Sequence, residues 1–304
     1  MAVSPVAFYA VANEPHFLGL VALLNSLRLQ GHGDPLLVAD CGLAGWQREL
    51  LVPHAEVVEA DRGIPPYLLK PVLPRARPTE KMVLLDVDLV AVRPLTPLFD
   101  ETAAVVAFAD PVAHRFHPEW AEFLDLPPLR PGTYLNSGFF VLNGRVGRSV
   151  LDLVAEKQEK IDAATSRYAG SRPSSPFYYL DQDVWNAVLA SSVDPGELVV
   201  ESAGLAPHPP FTGSDECEPF LLHHVDRKPW LDSTRSNAYS RMLPRLLLGP
   251  DVALRLEPDQ VPLRLREGRL ADVERVRAEA AALAHGLRGQ VGLRRRLAER
   301  RRRA

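Results

Sequence analysis

The sequence predicts an α/β protein: a mostly parallel β-sheet flanked by helices, with a helical C-terminal extension. Three observations predict it. Short apolar runs rich in β-branched residues alternate with segments whose apolar residues repeat at helical spacing, an order that builds parallel sheets. The run from Lys81 to Val92 is apolar almost throughout, as in a strand covered on both faces. Beyond Leu248 the pattern gives way to a narrow apolar stripe and then to arginines. The domain boundaries follow from this change, at 1–248 for the sheet domain and 249–304 for the extension.

Val6 to Val11 reads as a first strand. Asn13 stands at an N-cap position, with Glu14 and Pro15 in the first turn. Phe17, Leu20, Val21, Leu24 and Leu27 then repeat as on a helix, up to Gly31. Pro35 to Asp40 is a second strand, Trp46 to Leu51 a short helix, and Ala55 to Ala60 a third strand. After Pro65 and Pro66 comes a helical piece around Tyr67 to Leu73, and then the strand from Lys81. Ala103 to Ala109 and Leu135 to Leu142 are further strands, separated by a loop-rich stretch at 110–133. A helix covers roughly 146–164, a Ser/Pro-rich loop 165–177, and another helix begins near Asp181. Leu198 to Glu201 and Phe220 to His223 are short strands. Val273, Val276, Ala280 and Leu283 mark the helix of the extension.

With 46% hydrophobic and 24% charged residues, the chain has the composition of an ordinary globular protein. Its net charge of −3 offers no general attraction to nucleic acid, and no nucleic-acid partner is expected. Cys41 and Cys217 lie far apart, which excludes a disulfide framework and a clustered cysteine metal site. No basic n-region followed by an apolar h-region opens the chain, and the run from Phe17 to Leu24 is too short to span a bilayer. A cytoplasmic enzyme is the expectation. The block from Arg294 to Arg303 is the exception to the mild charge, and suits weak contact with an anionic membrane, an acidic partner or a second copy in a homo-oligomer.

Asp86 and Asp88 are the most informative pair. On a strand, side chains two apart point the same way, so both carboxylates are aimed together from an apolar segment. Unpaired charges in such surroundings are costly, and a divalent cation would compensate both.

Five signals then stand in order. They are the opening Phe8 to Pro15, the pair Asp86 and Asp88, the segment Asn136 to Gly138, the segment Asp181 to Asn186, and the segment His223 to Trp230. Together they resemble glycosyltransferase family eight, over about residues 6–231. The resemblance implies a Rossmann-like GT-A fold, a nucleotide-sugar donor of the UDP-hexose type, Mn²⁺ or Mg²⁺, and transfer with retention of anomeric configuration. It implies that Asp86, Asp88 and either His223 or His224 bind the metal, with Asp86 also near the ribose. Lys228 and Lys70 resemble cations beside the diphosphate. Asn136 and Gly138 resemble the strand under the sugar, Asp181 the carboxylate orienting its hydroxyls, and Gln182 the residue beneath the anomeric carbon. Ala10 and Asn13 fall on the nucleotide side, with Asn13 where the family carries an aspartate. Val225 stands where the family usually has a glycine, and the spacing from histidine to lysine is shorter by one residue from His223 or by two from His224.

The acceptor expected from this is a saccharide, a natural product or a lipid-linked sugar, lying over loops 110–133 and 165–177. Two other readings remain beside it. One is a sugar nucleotidyltransferase, although residues 8–16 lack the glycines of its phosphate loop. The other is a catalytically silent nucleotide- or glycan-binding subunit.

Overall fold

The computed structural model describes residues 5–99, 101–112, 114–209, 218–225, 227–231 and 237–266. Along these residues run β1 (Val6–Ala12), α1 (Phe17–Leu29), β2 (Leu36–Asp40), α2 (Gly45–Leu51), β3 (Glu56–Glu59), α3 (Val72–Ala76), β4 (Lys81–Leu85), β5 (Leu89–Ala91), α4 (Thr96–Phe99) and β6 (Val105–Ala109). They are followed by α5 (Trp120–Leu124), β7 (Leu135–Asn143), α6 (Gly144–Gln158), α7 (Asp181–Ser192), β8 (Leu198–Glu201), β9 (Leu221–His223) and α8 (Ala238–Leu248). One sheet has the order β3-β2-β1-β4-β7-β6-β8, and β5 pairs with β9 in a second, small sheet. Neighbours from β3 to β4 are parallel, as are β6 and β8, whereas β7 runs antiparallel to both β4 and β6. The α/β architecture with a mostly parallel sheet is therefore the one observed.

Alternation along the strands divides the core in two. Phe8 and Ala10 of β1 join Val83 and Leu85 of β4 on one face, with α1 and α8. Ala7 and Tyr9 join Met82 and Leu84 on the other, with α6 and α7. Helix α1 is buried nearly all round because it lies between the sheet and α8. On the other face, the Trp185 ring of α7 stacks on Phe140 of β7 at 4.5 Å between centroids, both fully buried. Asn25, fully buried on α1, donates to the carbonyls of Leu246 and Leu254 at 2.6 and 2.7 Å and accepts from Leu254 N–H at 2.8 Å. Leu254, Leu256, Val261 and Leu265 are buried in the same face of the core. The expected helix at 273–283 and the arginine block lie outside the described residues. Among the described residues, no helix is long and apolar enough to cross a membrane.

Several elements differ from expectation. The strand from Lys81 to Val92 is two strands in different sheets, interrupted at Asp86, Val87 and Asp88, where Leu89 N–H turns back to Asp86 O at 3.2 Å. A 3-10 turn (Glu14–His16) precedes α1, and Asn13 Oδ1 meets His16 Nδ1 at 2.7 Å instead of capping a backbone N–H. Helix α8 was not among the expected elements, although Tyr239, Leu243, Leu246 and Leu247 are buried at helical spacing along it; its Asn237–Ser240 capping box sets its start.

Gly19 of α1 has a special burden. A Cβ there would lie 2.4 Å from Val87 O and 2.6 Å from the Trp230 ring. Only a residue without a side chain lets α1 press against the turn between β4 and β5.

Asp40 closes β2. Its carboxylate accepts from Gly42 N–H at 2.9 Å and Leu43 N–H at 2.7 Å and pairs with Arg48. Burial would raise its pKa, but the two N–H groups and Arg48 outweigh burial and lower it below 3.8. A carboxyl that is more acidic in the folded chain adds stability above its unfolded value, and that stability is lost as pH falls through the folded value. Asp40→Asn is therefore expected to cost about 1–3 kcal/mol near neutral pH. The difference from wild type should shrink toward pH ~3. Urea unfolding at both pH values measures it, and a cost independent of pH would contradict the account.

Candidate active site

The carboxyl ends of β1 and β4 flank the point where the strand order reverses, β2 and β3 lying on one side of β1 and β4 on the other. In open α/β sheets this is where ligands bind. Asp86 follows β4 directly, its N–H bonded to Gly138 O of β7 at 2.9 Å. Strand β5 then pairs with β9, placing Leu89 opposite His223. This pairing closes the gap of over a hundred residues. His223 Nε2 lies 3.2 Å from Asp88 Oδ1 and 3.9 Å from Asp86 Oδ2. One ligand atom from each of Asp86, Asp88 and His223 falls within 4.8 Å of the others. Asp88 Oδ1 is buried and accepts no well-aligned hydrogen bond among the described residues. Two carboxylates and an imidazole fit a divalent ion such as Mn²⁺ or Mg²⁺, with further oxygens left to a ligand.

Two lysines serve this carboxylate cluster. Lys228 Nζ donates to Asp88 Oδ2 at 2.5 Å and to His224 O at 2.6 Å. Lys70, almost completely buried, reaches Asp86 Oδ1 at 2.8 Å, Asp181 Oδ2 at 3.3 Å and Ser137 O at 2.7 Å. Burial alone would lower the Lys70 pKa, but Asp86 and Asp181 reverse this and raise it, so the ammonium stays charged. Burial likewise opposes ionisation of Asp88, yet Lys228 and His223 hold it well below the usual carboxylate range. Asp181 goes the other way, raised first by burial and further by Asp86, with Lys70 only partly compensating.

Gln182 opens a second network. Its Oε1 accepts from Ser137 N–H at 3.1 Å and from Asn136 Nδ2 at 3.3 Å. The backbone N–H of Ser137 can only donate, which fixes which end of the Gln182 amide faces it. Its Nε2 donates to Asp110 Oδ2 at 3.2 Å, and Asn136 Nδ2 donates to the same oxygen at 2.9 Å.

A cavity of about 670 Å³ opens beside these groups. Ala10, Asn13, Tyr67, Lys70, Asp86 and Lys228 are among the residues that line it. No protein-family model matches the chain, and no curated protein matches it in sequence. Solved structures do match. The galactosyltransferase LgtC, in complex with donor and acceptor sugar analogs, gives a TM-score of 0.57 at 14% identity, covering 83% of this chain and 98% of its own. An active-site mutant of LgtC gives 0.56 at 15% identity, covering 79% and 94%. The glycosyltransferase GlyE of Streptococcus pneumoniae gives 0.53 at 13% identity, covering 80% and 60%.

The chain has the GT-A fold.

Within the GT-A fold, the structure gathers most of the sequence candidates. Asp86, Asp88 and His223 share one cluster, flanked by Lys70 and Lys228. Asp181 joins it through Lys70, and Asn136 and Gln182 through Ser137 and Asp110. Ala10 and Asn13 line the cavity some distance along β1 and beyond its end. His224 is not brought to the cluster. Adjacent residues of a strand face opposite ways, and the His224 ring turns to Asn237 Nδ2 at 3.2 Å and to the Tyr239 ring at 5.2 Å.

Sequence reading missed Asp110, Arg115, Tyr134 and His208. Asp110 ends β6 as Asp86 ends β4, and this strand-end position was a usable signal. His208, which packs edge-on to His223 at 5.0 Å, carried no such signal.

Gly138 gains a role from the same geometry. A Cβ there would lie 2.4 Å from His223 Cε1 and 2.9 Å from Asn136 Oδ1. Gly138→Ala must push His223 away from the aspartates. Affinity of the Asp86–Asp88–His223 cluster for Mn²⁺ should weaken by on the order of 10–100-fold, the scale for disturbing the neighbour of a metal ligand. Calorimetry reads this directly, and unchanged affinity would show that His223 is free to move.

Proposed function

We propose that this protein is a metal-dependent, retaining glycosyltransferase of the family-eight type, moving a hexose from a nucleotide sugar, with UDP-hexose as donor, to an acceptor hydroxyl. The observation that carries the reading is the convergence of Asp86, Asp88 and His223 beside two lysines at the cavity of a GT-A fold. The galactosyltransferase LgtC, crystallised with donor and acceptor sugar analogs, supports it through its shared fold.

Asp86, Asp88 and His223 would hold the metal. When bound, the metal supplies Lewis-acid charge for the departing diphosphate. Lys228 and Lys70 add fixed positive charge on the same side, in a site already arranged before reaction. As the bond from the anomeric carbon to the diphosphate oxygen breaks, its electron pair goes to the diphosphate. The acceptor oxygen enters on the same face, and its proton passes to a diphosphate oxygen. This route needs no protein nucleophile, and Gln182 is poorly suited to be one, since its Oε1 already accepts two hydrogen bonds. Gln182 and Asp181 instead hold the ring of the sugar.

Nucleotide release from a panel of nucleotide sugars, with Mn²⁺ and with excess chelator, tests the reading. Release that requires the metal and one donor supports it. No release from any donor in either condition rejects it. Gln182→Ala should lower kcat by on the order of 10²-fold with little change in KM, the signature of misplaced reacting groups. Equal losses in kcat and donor affinity would assign Gln182 a binding role alone.

A further inference from the structure

Asp181 and Gln182 are delivered by a turn that leucine does not favour. Leu180 has φ +54° and ψ −118°, and Gln182 N–H closes the turn on Tyr179 O at 3.2 Å. This is the first central position of a type II′ turn, a place normally taken by glycine. Such a conformation in a bulky residue persists only where its surroundings fix it.

Arg115 supplies the fixing from both sides of Leu180. Its side chain is only 6% exposed. Nε and Nη2 grip the two oxygens of Asp183 at 2.6 and 2.9 Å. Nη1 donates to Pro173 O at 2.7 Å, and Nη2 also donates to Ser175 O at 2.7 Å and Pro176 O at 3.0 Å. Trp120 Nε1 adds a bond to Pro176 O at 2.6 Å. Asp183 in turn accepts from Tyr134 Oη and from Tyr179 N–H, each at 2.7 Å. One planar guanidinium thus joins the chain before the turn to the first helical turn after it. An ammonium, with a single point of charge, cannot span both.

We propose that Arg115 is a positioning residue for the transfer: by tying the 173–176 chain to Asp183 it keeps Leu180 in its left-handed turn, and so holds Asp181 against Lys70 and Gln182 against Ser137 and Asp110. The proposal rests on the transferase reading, and the experiment separates the two. Wild type, Arg115→Lys, Leu180→Gly and the double variant are compared in nucleotide release and in Mn²⁺-supported UDP binding. Melting temperature and hydrogen exchange at the amides of Tyr179, Gln182 and Asp183 are followed in parallel.

In Arg115→Lys, exchange at those amides should quicken at least about tenfold and kcat fall on the order of 10²-fold, with UDP affinity within about threefold of wild type. Adding Leu180→Gly should restore at least about tenfold of the lost kcat, because glycine adopts the turn without cost. The same change should lower the melting temperature further, since it deletes a buried leucine. An Arg115 that served stability alone would make the double variant the least active. Unchanged exchange in Arg115→Lys, kcat falling in step with UDP affinity, or no recovery in the double variant overturns the proposal. Should Arg115→Lys not fold, Trp120→Phe removes one donor to Pro176 O and must show the same pattern at smaller amplitude. If wild type releases no nucleotide from any donor, the transferase reading has failed, and exchange alone decides whether Arg115 holds the turn.

Discussion

Asp88→Ala is expected to lower turnover by on the order of 10²–10³-fold, the scale for losing a group that stabilises developing charge. It should also abolish whatever nucleotide affinity Mn²⁺ supplies. Asp88 meets His223 with one oxygen and Lys228 with the other, so its loss removes one of the three proposed metal ligands and leaves Lys228 without its carboxylate. Because Lys228 and His223 outweigh burial and hold its pKa well below the usual range, the carboxylate is ionised at every working pH. Asp88→Asn keeps the shape and loses the charge, and should be nearly as inactive. Kinetics and UDP calorimetry, each with Mn²⁺ and with chelator, measure both effects. Wild-type turnover in Asp88→Ala, or in excess chelator, would contradict the metal-dependent reading.

Lys70→Met is expected to cost about 3–5 kcal/mol of stability near neutral pH, as when one partner of a buried ion pair is removed. Lys70 is the buried cation between Asp86 and Asp181, and without it the two carboxylates face each other. Asp181 is already raised above its ordinary value of 3.8 by burial. A carboxyl whose folded pKa lies above its unfolded one favours the native state when protonated, so stability falls as pH rises through that window. Losing Lys70 extends the window upward. The deficit of the variant should therefore shrink as pH is lowered toward ~4. Chemical unfolding across pH decides it: a small deficit that ignores pH would mean that Asp86 and Asp181 are not coupled through this lysine. Turnover should fall as well, since Lys70 also lines the cavity where the proposed donor would sit.

Much of the fold was legible because periodicity is local. The short, nearly continuous apolar runs of β1 and β4, and the helical spacing of apolar residues in α1, identify those elements without knowledge of their neighbours. The site was legible in its residue types and only partly in its geometry. Reading Asp86 and Asp88 as two residues of one strand brought the right side chains together for the wrong reason. Strand β4 ends before Asp86 and β5 begins after Asp88, so the two converge on a turn that joins two different sheets. The choice between His223 and His224 depended on the pairing of β5 with β9, a contact across more than a hundred residues that no local pattern contains. Arg115 was invisible for a similar reason. Its meaning lies in backbone carbonyls at 173–176, which carry no sequence signature. The reversal of β7 was equally hidden, because a strand buried on both faces reads the same in either direction.

The absent side chain at position 19 bears on the ligand groove from behind. Helix α1 nestles against the loop carrying both aspartates and against the indole that follows Lys228 and Pro229. The two lips of the groove therefore share one backstop. How wide they stand apart depends on the seating of a buried helix, so a change in the width of the groove can originate at a position that does not line it.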